Sequence, residues 1–456
     1  MQRSTERILT THVGSLPRPP DLLEMINAKE EGRPFDLSRY RARVKNAVRE
    51  AVEKQAASGI DIPADGEMGR IGFIPYVNER LSGIEPRQAA RGQHQWRRSR
   101  EYQAFPEYYE WASAIAGAAG QAPAVEWVCT GPIAYHGEEA LKRDIDNLKE
   151  ALSGVPHVEA FMPAVSPTQL ANWNKNEYYA SQEEYRIAIA EALREEYRRI
   201  VDAGLVLQID DPQLASRYVL RPDLDLEECR KRAALSVELL NHALEGIPAE
   251  RVRYHTCYSI NIGPRVHDLE LKHIVDVMLR VNAGAYSFEA ANPRHEHEWR
   301  VWENVKLPEG KLLIPGIIAH SSNLVEHPEL VAERIVRFAG VVGREKIRDQ
   351  APAQALSRQR RRYASRAKTG QASCGCDSAF PLRGSIGSEF SQRGSGDEMA
   401  LKIEGIVDGG MHTQEALRGA RRLESLHLAL SPSHRLMRVL GSIVAPDPLF
   451  VRAAQP

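Results

Sequence analysis

The sequence predicts a closed (β/α)8 barrel, and three observations carry that prediction. Strand-like and helix-like segments alternate along most of the chain. Polar or small residues stand wherever a strand stops. The number of strand–helix units suits a closed ring better than an open sheet. At 456 residues the chain has room for one large barrel with insertions.

The elements follow in order. Residues 8–15 (ILTTHVGS) form a β-branched strand that opens into a loop at Gly14 and Ser15. Residues 36–57 carry apolar positions at helical spacing, with Asp36 or Ser38 placed to cap the start and Gly59 to stop it. Ile60–Ala64 leads a second strand into Asp65-Gly66-Glu67. Further strands are expected at 125–135, 158–165, 205–211, 252–258, 285–289 and 312–320. Helices are expected near 138–152, 182–203, 226–245, 269–281 and 328–341. These are nine strand candidates for eight places if a late Cys-x-Cys segment counts, so one of 125–135 or 158–165 lies outside the ring. Residues 400–409 (ALKIEGIVDG) restore helical periodicity and are expected to close it.

Two stretches break the alternation. Residues 86–121 read as a polar and aromatic insertion whose Arg-rich first half is a solvated loop. Between Asp349 and Asp377 the chain holds five arginines and one lysine with few bulky apolar side chains, and residues 348–373 are expected to be an exposed, disordered loop. The domain reading is therefore one barrel over 1–429 with these two insertions, and a peripheral tail over 430–456.

Composition narrows the function classes. A formal charge of −1 argues against nucleic acid or an anionic membrane surface as partner. No apolar run approaches the roughly 20 residues that span a bilayer. The N-terminus enters a strand without the apolar core of a signal peptide. Five cysteines do not make a disulfide framework, and their odd count and spacing suit reduced thiols that serve a metal. A cytoplasmic enzyme acting on small molecules is the expectation.

The chemistry centres on Arg253-Tyr254-His255-Thr256-Cys257-Tyr258. In a strand, residues i and i+2 share a face, so His255 and Cys257 can hold one metal ion together. Imidazole nitrogen and thiolate sulfur are ligands that zinc accepts readily. The same spacing also arises by chance on a buried strand. Context favours the metal: Glu289 stands at a strand end, and Cys374 and Cys376 form a later pair. Ligands scattered over several strand ends suit a reactive site better than a structural knuckle. A thiol substrate bound to such zinc loses its proton at neutral pH.

With TTHVGSLPR, DGE, QIDDP, HTC, SFEAANPR and AHSSN in this order, the chain resembles the vitamin B12-independent methionine synthases. The likeness is to their C-terminal catalytic barrel and its single-barrel relatives, over most of residues 7–347 and again, weakly, at 374–410. It implies a TIM barrel of the methionine synthase and uroporphyrinogen decarboxylase type. It also implies methyl transfer from a methylated folate to homocysteine, with zinc as cofactor. The family's zinc set carries over to His255, Cys257, Glu289 and, last, Cys376. Gly14 and Ser15 match the grip on the substrate carboxylate. Glu67 and Asp210 match the acids that hold its ammonium, and His320 the histidine that protonates the leaving folate nitrogen.

Two departures qualify the match. The family's last cysteine follows the AHSSN helix closely in a strand ending DCG, whereas here the basic stretch intervenes, leaving Cys374 or Cys376 or a lost ligand. The chain also has no room for the second barrel of the long synthases, so the donor is open. Alternatives within reach are thiol alkylation of the epoxyalkane:coenzyme M transferase type, with Arg18 or Arg70 for a sulfonate. Further off are a metal-free decarboxylase-like barrel and an impaired one.

Overall fold

The structure is a computed structural model that describes residues 1–70, 72–88, 95–116, 125–258, 263–319 and 326–352. Its strands, in chain order, are β1 (Leu9–Val13), β2 (Ile84–Gln88), β3 (Val125–Cys129), β4 (Phe161–Val165) and β5 (Asn174–Asn176). They continue as β6 (Val206–Asp210), β7 (Val252–Thr256), β8 (Ala285–Glu289), β9 (Leu312–Gly316) and β10 (Arg348–Pro352). Seven of them form one parallel sheet in the order β1-β10-β9-β8-β7-β6-β4.

The gap between β1 and β4 is filled by residues 60–64. Ile62 bridges Thr11 in parallel. Ile62 N donates to Thr10 O at 3.0 Å, and on the other side Phe161 N donates to Pro63 O at 3.1 Å. The ring is thereby closed with eight staves in chain order, as a (β/α)8 barrel requires. Capped helices return the chain between staves. Asp36 accepts from Ser38 N and Arg39 N at the head of Leu37–Ala57, Ser181 caps Gln182–Asp202, and Asp225 caps Leu226–Ala243. Their apolar stripes bury Val48, Val52, Ile189, Leu193, Val237 and Leu240 against the sheet.

Inside the ring, Arg253 replaces the usual apolar filling. Its guanidinium lies 3.8 Å over the Phe161 ring and donates to Thr11 Oγ1 and His12 O, both at 2.9 Å. A fully buried cation is tolerable because these acceptors span the barrel.

Several expectations change. The extra strand is β3, which pairs with β2 and β5 in a separate three-stranded sheet. The ring is closed by β10, paired with β1 over five residues from Leu9↔Arg348 to Val13↔Pro352. Closure therefore does not wait for 400–409, and residues 348–352 belong to a barrel strand and not to a loop. The helix expected over 269–281 shrinks to a 3-10 turn, Leu271–His273, and a short helix, Val275–Met278. Glu298 takes Leu271 N from outside, which diverts that backbone group from helical pairing.

The 86–121 stretch is not simply a solvated loop. Its end carries the helices Arg100–Ala104 and Pro106–Ala116. Buried Glu101 accepts from Val266 N and His267 N, and Arg100 Nε donates to Tyr218 O at 2.9 Å. The remainder of 353–373, the 400–409 closure and the tail at 430–456 lie outside the described residues, as does the whole of a second unit, Gly384–Pro456.

Candidate active site

Three adjacent strand ends, those of β6, β7 and β8, bring Asp210, His255 and Glu289 to one rim. Register pairs Asp210 with His255 and His255 with Ser287. Residues paired across parallel strands point the same way, and the 2.8 Å separation of His255 Nδ1 and Ser287 Oγ shows it here. Cys257 and Glu289 lie two residues beyond that pair and so share its face. His255 and Glu289 are buried, and Cys257 is partly exposed at the mouth.

Both described ligand candidates of the His and carboxylate type are held from behind. Ser287 engages His255 through Nδ1. Asn292 donates from Nδ2 to Glu289 Oε1 at 2.9 Å. Such outer bonds are what metal-ligating histidines and carboxylates carry, so one thiol, one imidazole and one carboxylate fit zinc chemically. Among the described residues, one trio of ligand types has its atoms all within 4.8 Å of one another, and it is Glu270, His297 and Glu298, not this set. That trio is largely exposed, with Glu298 already taken by Leu271 N. Cys374, Cys376 and His320 lie outside the described residues.

The second half of the site is a pair of buried acids. After Asp65 the chain makes a left-handed turn through Gly66 (φ 64) and Glu67 (φ 56). A Cβ on Gly66 would come within 2.9 Å of Leu16 Cδ1, so the turn needs glycine there. Glu67 has no such excuse, being the one non-glycine among the described residues with positive φ. That strain aims its carboxylate inward, where Ser15 Oγ donates to Glu67 Oε2 at 2.5 Å. Gly14 also has positive φ (78), and a Cβ there would meet nothing within 4 Å, leaving its backbone approachable.

Burial pushes the Glu67 carboxyl above its ordinary pKa, although Arg70 and the Ser15 hydroxyl pull the other way. Asp210 is pushed well up, first by burial and then by the charge of Glu67. Gln208 Nε2 donates to Asp210 Oδ1 at 2.7 Å, without offsetting that. Two facing acids in a desolvated mouth are costly until a cation joins them.

Two arginines nearby bond the scaffold through part of their donors. Arg18 donates to the carbonyls of Glu67 and Arg70. Arg70 donates to Pro163 O at 2.8 Å, pairs with Asp65, and lies 4.3 Å over the Tyr76 ring. Arg18 Nε and Arg70 Nε are buried without a hydrogen-bond partner. Residues that sequence reasoning missed are Ser287, Asn292 and Gln208. Their only signal was position, two residues before or three after a predicted ligand, or two before Asp210.

Comparison with known proteins identifies the family. The family model described as the catalytic domain of cobalamin-independent synthase matches residues 8–152 and 164–364. A methionine synthase from Thermococcus kodakarensis is 25% identical over 339 residues, covering 74% of this chain and 84% of that protein. Another from Sulfolobus acidocaldarius is 26% identical over 253 residues, covering 55% and 61%. In fold, the B12-independent methionine synthase from Shewanella sp. W3-18-1, solved in complex with selenomethionine, is similar with a TM-score of 0.56 at 18% identity, covering 79% of this chain and 99% of that one. No helix among the described residues is long and apolar enough to cross a membrane. The chain belongs to the cobalamin-independent synthase family, whose catalytic domain it carries.

Proposed function

We propose that this methyltransferase is zinc-dependent and methylates the thiol of homocysteine, taking the methyl group from a methylated folate. The observation that carries the reading is the Asp210–His255 register pair, which sets an acid pair for an ammonium directly beside a thiol-and-imidazole pair for a metal. Homocysteine presents an ammonium and a thiol on one short chain, and so matches both halves.

His255, Cys257 and Glu289 would hold the ion, with Cys376 the nominee for a fourth position. When bound, zinc lowers the pKa of a coordinated thiol so that the sulfur is a thiolate at neutral pH. Glu67 and Asp210 take the substrate ammonium, whose charge offsets the rise that burial imposes on both carboxyl pKa values. Backbone N–H groups around Gly14 and the Ser15 hydroxyl receive the carboxylate. In the transfer, a sulfur–carbon bond forms and the donor's nitrogen–carbon bond breaks. His320 gives the leaving nitrogen its proton.

The test is a zinc determination on purified protein, followed by a screen of thiol acceptors with methylated folate. About one zinc per chain is expected, and nearly none in Cys257→Ala. Full zinc retention in that variant removes the site. Methylation of other thiols in preference to homocysteine keeps the metal chemistry and overturns the substrate.

A further inference from the structure

Behind the rim, the segments that follow β7 and β8 are locked together by a buried polar cluster. The Tyr258 ring stacks on His295, centroids 3.6 Å apart and planes inclined by 14°. His295 Nε2 lies 3.2 Å from Asp268 Oδ2 and Nδ1 lies 3.1 Å from Glu298 Oε2. Each ring nitrogen thus faces a carboxylate oxygen, an arrangement that favours the protonated ring. Burial alone would lower its pKa, yet the bonds to Asp268 and Glu298 raise it.

The rest of the cluster extends the lock. Arg265 bonds both Tyr258 O and Asp268, and Arg294 Nε donates to Asp268 Oδ2 at 2.6 Å. Tyr258 and Arg265 belong to the segment that carries Cys257, and Arg294 and His295 to the segment that carries Glu289. One ring therefore crosses from the thiol's loop to the carboxylate's loop. The Tyr258 hydroxyl is buried without a hydrogen-bond partner, which leaves the aromatic face as what that residue contributes.

We propose that His295 is a positioning residue that, through its stack on Tyr258 and its two carboxylate bonds, holds the loops of Cys257 and Glu289 in a fixed relation and so tunes how tightly that pair takes a metal ion. The proposal rests on the zinc reading above. Outer partners of metal ligands typically tune affinity by about 10- to 100-fold, and a clamp across two ligand loops acts at that level. A glutamine at 295 would present an acceptor oxygen to one of the two carboxylates, breaking one side of the clamp.

The experiment is zinc affinity of the full chain by chelator competition, with far-UV circular dichroism and melting of the zinc-stripped protein alongside. The variants are His295→Gln, Tyr258→Leu and Tyr258→Phe. His295→Gln and Tyr258→Leu should weaken zinc by about 10- to 100-fold while the zinc-stripped proteins stay folded. Tyr258→Phe, which keeps the stack, should bind zinc as the wild type does. Wild-type affinity in His295→Gln and Tyr258→Leu overturns the clamp and leaves the zinc reading intact. Loss of affinity in Tyr258→Phe equal to that in Tyr258→Leu overturns the stacking role, and failure of all three to fold assigns the cluster to the fold alone. A wild-type protein that binds no zinc overturns both readings.

Discussion

His255 Nδ1 stands 2.8 Å from Ser287 Oγ, joining two residues that are register partners on β7 and β8. The bond restrains the ring through Nδ1. Ser287→Ala should release the ring and weaken zinc by about 10- to 100-fold, with the fold retained because one small side chain is exchanged for another. Chelator competition measures it. An affinity equal to the wild type would show that His255 is oriented by other contacts.

The acid pair predicts a pH effect on stability. Burial first, and then Glu67, raises the Asp210 pKa above its ordinary 3.8. Below the ordinary value both folded and unfolded chains are protonated there. Above it the unfolded chain ionises first, so stability falls as pH rises toward the elevated folded pKa. Asp210→Asn removes that loss. It should be more stable than the wild type at pH 8 while losing affinity for an amino-acid thiol, a trade between site and stability. Denaturant midpoints at pH 5 and 8 test this, and a variant less stable at pH 8 would contradict it.

Asp349 on β10 offers a cleaner measurement because it stands away from the rim. Burial pushes its pKa up to about 7 from 3.8, and its Oδ1 has no hydrogen-bond partner. Stability should therefore drop by a few kcal/mol as pH rises from about 4 to 7, and then level off. Asp349→Asn should flatten that part of the curve. Equal pH slopes in the two proteins would mean that the carboxylate is ionised in the native state.

His320 comes after β9 in the chain, and its proposed task is proton donation to the leaving group. A positioned general acid contributes roughly 10² to 10⁴ in rate. His320→Asn should slow transfer by about that factor and keep both zinc and acceptor affinity. Zinc loss would make it a ligand, and unchanged turnover would remove it from the mechanism.

The sequence by itself determined the barrel and most of its rim. Alternation of strand and helix periods is a local property, and so is the rule that strand ends face the mouth. His255, Cys257, Glu289, Glu67 and Asp210 could therefore be named without coordinates. Only the tertiary structure decided which strands share the ring. β10 reads Arg-Asp-Gln-Ala-Pro, which lacks β-branched or bulky apolar residues and shows no strand pattern. It is a strand because β1 and β9 leave a gap whose backbone groups must be paired. In the same way β3 has a convincing strand sequence but pairs outside the ring. The partners of the predicted residues were equally hidden. Ser287, Asn292 and His295 acquire their roles from neighbours 32, 3 and 27 residues away, and hydrogen bonding across such separations leaves no periodicity in the chain.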